Sequence, residues 1–336
     1  MTPSAISRAL DLYALVIGAC LGSFLNVVIA RLPRGRSLVR PSSSCPRCGA
    51  RIAWHDNVPI VSWLVLRGKC RSCGEPISAR YPIVEVLTAV LVFAVWRRFG
   101  AQPATLGYAA FACALVALTY IDLDTWLLPH EITWPLVAAG LASPLWNRQL
   151  AWPDSAIGAA AGFAFFAVIA LIGEKLLDKE TMGWGDVWLL AGIGAWLGWR
   201  ALLPVVLLSA VQGALVGVVL IALGRGPAEK ARAARARQEA EPISTEGSIP
   251  ASIPTQSPIP GPTADPSANE FLDVPAEPVP TTAPPPFAPP FADDDWLPPP
   301  HAVPFGPFLA LGALEVLLVG DALARAYFSA LGRILG

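Results

Sequence analysis

The chain has 336 residues, of which 54% are hydrophobic and 15% charged, with a mean hydropathy of +0.53 and a net charge of −1. Soluble domains are about a quarter charged, so this chain has too little charge to solvate a globular surface of its size. A soluble globular protein is excluded, and the spread of apolar blocks along the chain points to a multi-pass membrane protein.

The blocks come in order at 12–30, 81–96, 101–121, 132–147, 155–173, 187–199, 201–224 and 305–320. A bilayer core of roughly 30 Å takes about 20 apolar residues in helix. The pattern therefore predicts an all-α polytopic protein with about eight transmembrane helices, the shorter ones set in a protein-lined interior. The first block lacks the short apolar core and small-residue cleavage site of a removable signal peptide. The expected division of the chain is a first transmembrane helix at 1–30, a cysteine-bearing module at 31–81 and a membrane core at 82–224. An insert at 225–304 and a last helix with the C-terminus at 305–336 complete it.

Charge is distributed unevenly. Residues 31–81 hold ten Lys/Arg against Asp56 and Glu75, and Arg225, Lys230, Arg232, Arg235 and Arg237 follow the seventh block. Basic loops stay on the cytoplasmic side. The six crossings between these clusters return the chain to the same face, so both are expected in the cytoplasm and the N-terminus outside. On this topology the ends of the third and fifth spans, near Asp122 and Leu177, and the start of the sixth, at Asp186, share the cytoplasmic face. Residues 238–304 carry ten acids, no Lys or Arg and many prolines; such a segment is expected to be a disordered, solvated spacer.

Within the basic loop stand Cys45-Pro46-Arg47-Cys48-Gly49 and Cys70-Arg71-Ser72-Cys73-Gly74. Two thiolates three positions apart on a tight turn can face one metal, and the following glycine permits left-handed backbone. Two such knuckles give a four-cysteine site with no open position, the structural type of zinc site. The spacing predicts a small zinc-ribbon-like module, with zinc held by Cys45, Cys48, Cys70 and Cys73. Disulfides are not expected in the cytoplasm.

Two acidic stretches fall at span ends: Ile121-Asp122-Leu123-Asp124-Thr125-Trp126-Leu127-Leu128-Pro129 and Met182-Gly183-Trp184-Gly185-Asp186. A carboxylate at bilayer depth costs about 2.5–3.5 kcal/mol and marks a candidate functional site. Two aspartates meeting near apolar surface share a proton, one acting as base toward water and the other as acid toward an amide carbonyl. Gly183 and Gly185 leave room beside Asp186 for another backbone. Asp122 and Asp124 lie about 200° apart on a helix, so only one of them can face Asp186, and the chemistry does not choose between them.

At these residues the chain resembles the type IV prepilin peptidases, the bifunctional leader peptidase/N-methyltransferases. The likeness runs through Gly22-Ser23-Phe24-Leu25-Asn26, the two cysteine knuckles, Asp56-Asn57-Val58-Pro59-Ile60 and Arg80-Tyr81-Pro82-Ile83-Val84-Glu85. It continues in the Asp122 stretch, Gly183-to-Asp186 and Pro304-Phe305-Gly306-Pro307. The resemblance implies catalytic roles for Asp122, seven residues before Pro129, and Asp186, which ends the Gly-x-Gly-Asp motif.

It also implies cleavage of the basic leader of type IV prepilins or type II secretion pseudopilins at the cytoplasmic face of the bacterial inner membrane. Methylation of the new N-terminus by S-adenosylmethionine is implied with it. Glu85 is a weak candidate for contact with that cofactor and otherwise a structural residue, as Glu315 is. The expected partners are these substrates and lipid, with no nucleic acid. Three positions depart from the family pattern: His130 stands where relatives usually carry an acid, Ala89 where many carry glycine, and the long insert where they have a short connection.

Overall fold

The computed structural model describes residues 5–45, 47–177, 183–222 and 303–335. The expected insert at 225–304 lies outside the described residues but for its last two. Each apolar block forms a helix. In chain order these are α1 (Ala5–Arg31), α3 (Arg80–Phe99), α4 (Pro103–Thr125), α5 (His130–Ala142), α6 (Trp152–Leu177), α7 (Trp184–Leu197), α8 (Leu202–Ala222) and α9 (Gly306–Leu335). A short helix, α2 (Val61–Val65), lies in the loop between α1 and α3. No strand occurs among the described residues, only the isolated bridges Ser44–Arg51 and Lys69–Pro76.

By length and composition, four helical segments suffice to cross a membrane: Ala5–Arg34, Pro103–Thr125, Trp152–Leu176 and Trp199–Leu220. The count of about eight from apolar blocks thus exceeds what length and apolarity carry among the described residues. The difference has physical causes. α3 bears Arg80, Glu85, Arg97 and Arg98. α7, with 14 residues, is only about 21 Å long. It is instead the innermost helix, with Val187, Leu189, Leu190 and Ile193 fully buried, so its apolarity serves protein packing.

Two cores share α4. One gathers Phe111, Leu115 and Leu118 of α4 with Leu189, Leu190 and Ile193 of α7, Val205 of α8, and Leu309 and Ala313 of α9. The other joins Val116 and Ile121 of α4 to Leu25, Val28 and Ile29 of α1 and Val84 and Val92 of α3. A helix packed on two sides has little freedom to rotate, which fixes the face on which its terminal residues emerge.

Among apolar helices in lipid, close van der Waals fit replaces the hydrophobic drive, and small residues permit it. On α1, a Cβ at Gly18 or Gly22 would lie 2.6 Å from the Cα of Ala89 or Glu85 on α3. Ala89, the position noted for lacking glycine, is therefore a helix-packing position. Gly158 of α6 and Gly194 of α7 meet backbone to backbone.

The neighbouring helices run antiparallel. Asp11 near the start of α1 accepts from Trp96 (3.1 Å) and Arg97 (3.0 Å) at the end of α3, while Asn26 donates to the Tyr81 carbonyl at its start (3.1 Å). As a result the end of α1, the starts of α3, α7 and α9 and the end of α4 gather at one end of the molecule.

Candidate active site and four-cysteine cluster

The last turn of α4 carries Asp122. The helix stops because Trp126 turns left-handed (φ 58°), its N–H returning to the Asp122 carbonyl at 2.9 Å. Pro129 then leads into α5. α7 opens with Gly183 as an extended cap, and Asp186 sits in its first turn, where a negative side chain suits the unpaired amides. α9 opens at Gly306 just before Pro307.

These three helix ends converge. Asp122 is buried, 5% exposed, and close enough to Asp186 for their charges to repel directly. The Gly306 N–H, one of the amides a helix start leaves without an internal partner, donates to the Asp122 carboxylate. A Cβ on Gly306 would stand 2.5 Å from Asp122 Oδ2. Leu128 packs over both glycines: a Cβ on Gly185 would fall 2.6 Å from its Cβ, and one on Gly306 3.4 Å from its Cδ1. Asp186 Oδ1 is buried with no hydrogen-bond partner among the described residues.

Gly185 thus makes room for Leu128 of the same chain, rather than for a foreign backbone. Among the described residues, nothing stands within 4 Å of a Cβ added at Gly183.

Asp124 points elsewhere. Its Oδ1 accepts from Arg80 Nη1 at 2.7 Å, and Arg80 Nη2 donates to the Tyr120 carbonyl at 3.1 Å. Of the two aspartates left open by the sequence, Asp122 faces Asp186 and Asp124 ties α4 to the start of α3. His130 is exposed, its ring stacked on Trp134 at 4.9 Å.

The knuckles fold as near copies of each other. Cys45 N–H donates to Ala50 O (2.9 Å) and Gly49 N–H to Cys45 O (3.0 Å); Cys70 N–H donates to Glu75 O (2.8 Å) and Gly74 N–H to Cys70 O (2.9 Å). Gly49 and Gly74 have φ of 67° and 73°, the left-handed backbone expected of them. All four Sγ atoms lie within 4.8 Å of one another, with Cys45 and Cys73 3.8 Å apart. Tetrahedral zinc with bonds of about 2.3 Å would set sulfurs about 3.8 Å apart, so the cluster fits that ion.

Backbone amides and burial act on the thiols in opposite directions. The Cys48 backbone N–H, helped by that of Arg47, draws the Cys45 thiol down to about 7. At Cys73 the Glu75 N–H favours the thiolate, yet burial and the three neighbouring sulfurs push it up to about 12. A zinc ion held by these four residues would offset the charge of the thiolates. The flanking arginines serve carboxylates as well: Arg47 pairs with Glu75, and Arg71 grips Asp56 with two bonds of 2.7 and 2.6 Å. Between the knuckles lie a 3-10 turn (Trp54–Asn57) and α2 in place of a β-ribbon.

Two family models match the chain, the bacterial peptidase A24 N-terminal domain over residues 16–99 and the type IV leader peptidase family over 109–218. A prepilin leader peptidase/N-methyltransferase of Myxococcus xanthus (strain DK1622) is 41% identical over 341 residues, covering 99% of this chain and 97% of that protein. The chain belongs to the type IV leader peptidase family. Similar proteins of the same name occur in Aeromonas hydrophila (44% identity, 60% of this chain and 78% of that protein) and Neisseria gonorrhoeae (38%, 64% and 85%). No solved structure gave a significant match.

Within this leader-peptidase chain, three residues in the family-like stretches take their roles only from the fold. Gly306 lies outside both matched regions yet supplies the amide on Asp122. Leu128 and Arg80 read as ordinary apolar and basic residues; only their neighbours reveal their use. For Gly306 a signal existed, the Gly-Pro step at a helix start. Glu85, the candidate cofactor residue, is buried and accepts the Ile60 N–H at 2.7 Å and a bond from Ser23. Glu315, also expected to be structural, accepts from Gln212 at 2.7 Å.

Proposed function

We propose that this chain is a bifunctional membrane enzyme. It cuts the basic leader from type IV prepilins or type II secretion pseudopilins and methylates the new N-terminal amine. Family membership and the names of the curated relatives support both activities. The observation that carries the peptidase reading is the convergence of Asp122 and Asp186 on neighbouring helix ends, with Gly306 against Asp122 and Asp186 Oδ1 buried without a partner among the described residues.

Two buried carboxylates in such contact share one proton. Asp122, set against Gly306, takes a proton from water as the water oxygen bonds to the scissile carbonyl carbon. Asp186 gives its proton to the carbonyl oxygen. When the tetrahedral intermediate collapses, the C–N bond breaks and the amine leaves with the proton Asp122 collected. A hydroxyl proton of the intermediate returns to Asp186, restoring the pair.

In this reading the eight helices formed by the apolar blocks span the bacterial inner membrane, the short α5 and α7 within a protein-lined interior, with the dyad, the 31–81 module and the 225–304 insert facing the cytoplasm. The ten Lys/Arg of 31–81 support that orientation. Residues 82–224 with 305–336 form the peptidase core. Cys45, Cys48, Cys70 and Cys73 would hold zinc, which would cross-link the two knuckles and take no part in cleavage. S-adenosylmethionine is the methyl donor, and Glu85 is assigned a structural role.

The test is a reaction of the full-length protein in lipid nanodiscs with a prepilin and labelled S-adenosylmethionine, read by mass spectrometry of both fragments. Cleavage lost in Asp122→Asn and in Asp186→Asn, and kept in Asp124→Asn, is expected. Cleavage that survives in both dyad variants overturns the assignment, and a cut but unmethylated product removes the transferase.

A further inference from the structure

Residues 54–65, between the cysteine knuckles, form a firmly held loop whose outward face is apolar. Its interior is well specified. Ser62 is buried, accepts from the Val58 N–H (3.0 Å) and donates to His55 O (2.9 Å), while Trp63 Nε1 donates to Ile77 O (3.1 Å). With Ser62 and Trp63 turned inward, α2 shows the opposite side to the surroundings: Leu64 is 62% and Val65 69% exposed, with Val61, Val58 and Trp54 beside them. A soluble module would place polar residues there.

The depth of this loop explains the composition. The Ile60 N–H that opens α2 is bound by Glu85, five residues inside α3 and so about 7.5 Å below its first residue. The guanidinium of Arg80, that first residue, reaches both Asp124, two residues past Asp122, and the Tyr120 carbonyl, two residues before it. The loop therefore reaches past the start of α3, and α1 and α3 themselves show apolar outward residues, such as Phe24 and Val86. Ile60 holds a left-handed φ of 62°, which β-branched residues avoid. The Glu85 bond holds the chain in this reversal. Exposed Arg51, Arg67 and Lys69 flank the apolar face, the pairing of an interfacial segment with anionic headgroups.

We infer that residues 54–65 are an interfacial membrane anchor: the face made by Trp54, Val58, Val61, Leu64 and Val65 lies in the bilayer at the headgroup–acyl boundary and seats the four-cysteine module on the lipid beside the dyad. This rests on the membrane reading proposed above. The occupant is lipid; a prepilin segment on the same face is the alternative that the experiment distinguishes.

The test uses the full-length protein in nanodiscs of phosphatidylcholine and phosphatidylglycerol with brominated acyl chains. An environment-sensitive fluorescent amino acid is placed at position 64, at Arg47 as an aqueous control, or at Leu207 on the outer face of α8 as a lipid control. Quenching by brominated chains at 64 and 207, and not at 47, is expected. Quenching at 207 with none at 64 overturns the anchor while leaving the membrane reading intact; no quenching at 207 defeats the membrane reading itself. Shielding of position 64 from aqueous iodide only after a prepilin is added gives the face to substrate and also overturns the anchor. Leu64→Asp/Val65→Asp supplies a second readout: faster hydrogen exchange over 54–66 in nanodiscs with unchanged metal content is expected, and exchange equal to wild type contradicts the inference.

Discussion

The backbone amide of Gly306 donates to the carboxylate of Asp122, so the last helix, reached only after the long insert, completes a site whose aspartates lie far earlier in the chain. Gly306→Ala would push a methyl group against Asp122 Oδ2, 2.5 Å from the ideal Cβ. Overpacking of this kind costs about 1–3 kcal/mol, so kcat for prepilin cleavage should fall roughly tenfold or more, by about a decade per 1.4 kcal/mol. The protein should still insert and purify, with KM little changed. Steady-state cleavage assays check this, and wild-type kcat in the variant would remove Gly306 from the site.

Loss of a general acid or base costs about 100- to 10,000-fold. Asp122→Asn and Asp186→Asn should each lower cleavage by about that much, and the double variant should be little worse, because the pair acts as one unit. Single-turnover rates with equal loading of folded protein measure both claims.

Arg80 clamps Asp124 and the Tyr120 carbonyl, holding the turn that presents Asp122. The pair is partly buried, with side-chain exposures of 20% and 18%. Arg80→Ala and Asp124→Ala should therefore show a coupling of about 1 kcal/mol in a double-mutant cycle of thermal stability. The charge-reversed pair Arg80→Asp/Asp124→Arg should recover part of that loss. Additive single effects would show that the contact contributes nothing.

Purified protein should carry about one zinc per chain, coordinated by the four cysteines. Cys70→Ser should release it and open the 43–77 region to protease. Cleavage by the dyad should suffer less than methylation does. Metal analysis with limited proteolysis tests the first claim, and assay of both activities tests the second.

Asp56 is held below the usual carboxylate range by hydrogen bonds from Arg71, with burial opposing and the Arg71 charge assisting. A depressed carboxylate contributes stability that is fully present above its unfolded value, about 3.9, and is lost as pH falls through the folded value. Proteolytic resistance of the module should accordingly drop below about pH 4 in the wild type, with a smaller drop in Asp56→Asn. Identical acid profiles would show that the pair does not stabilise the module.

The helical class, the order of the apolar blocks, the knuckle glycines and the cysteine set were all legible in the chain, because each rests on spacing within a short stretch. A left-handed turn after Cys48 or Cys73 needs only local backbone freedom, and an apolar run reads as a helix wherever it is placed. Hydropathy could not tell a helix that spans lipid from one enclosed by its neighbours, since both are apolar throughout; α7, for one, is apolar in the chain and enclosed by its neighbours in the fold. Nor could spacing choose between Asp122 and Asp124. That choice depends on how α4 is rotated, and the rotation is fixed by two separate cores gripping the helix from opposite sides. Folding is what brings Gly306 to Asp122, Leu128 over Gly185 and Glu85 to Ile60, because close approach between distant segments is set by the fit of whole helix faces and leaves no periodic mark in the chain.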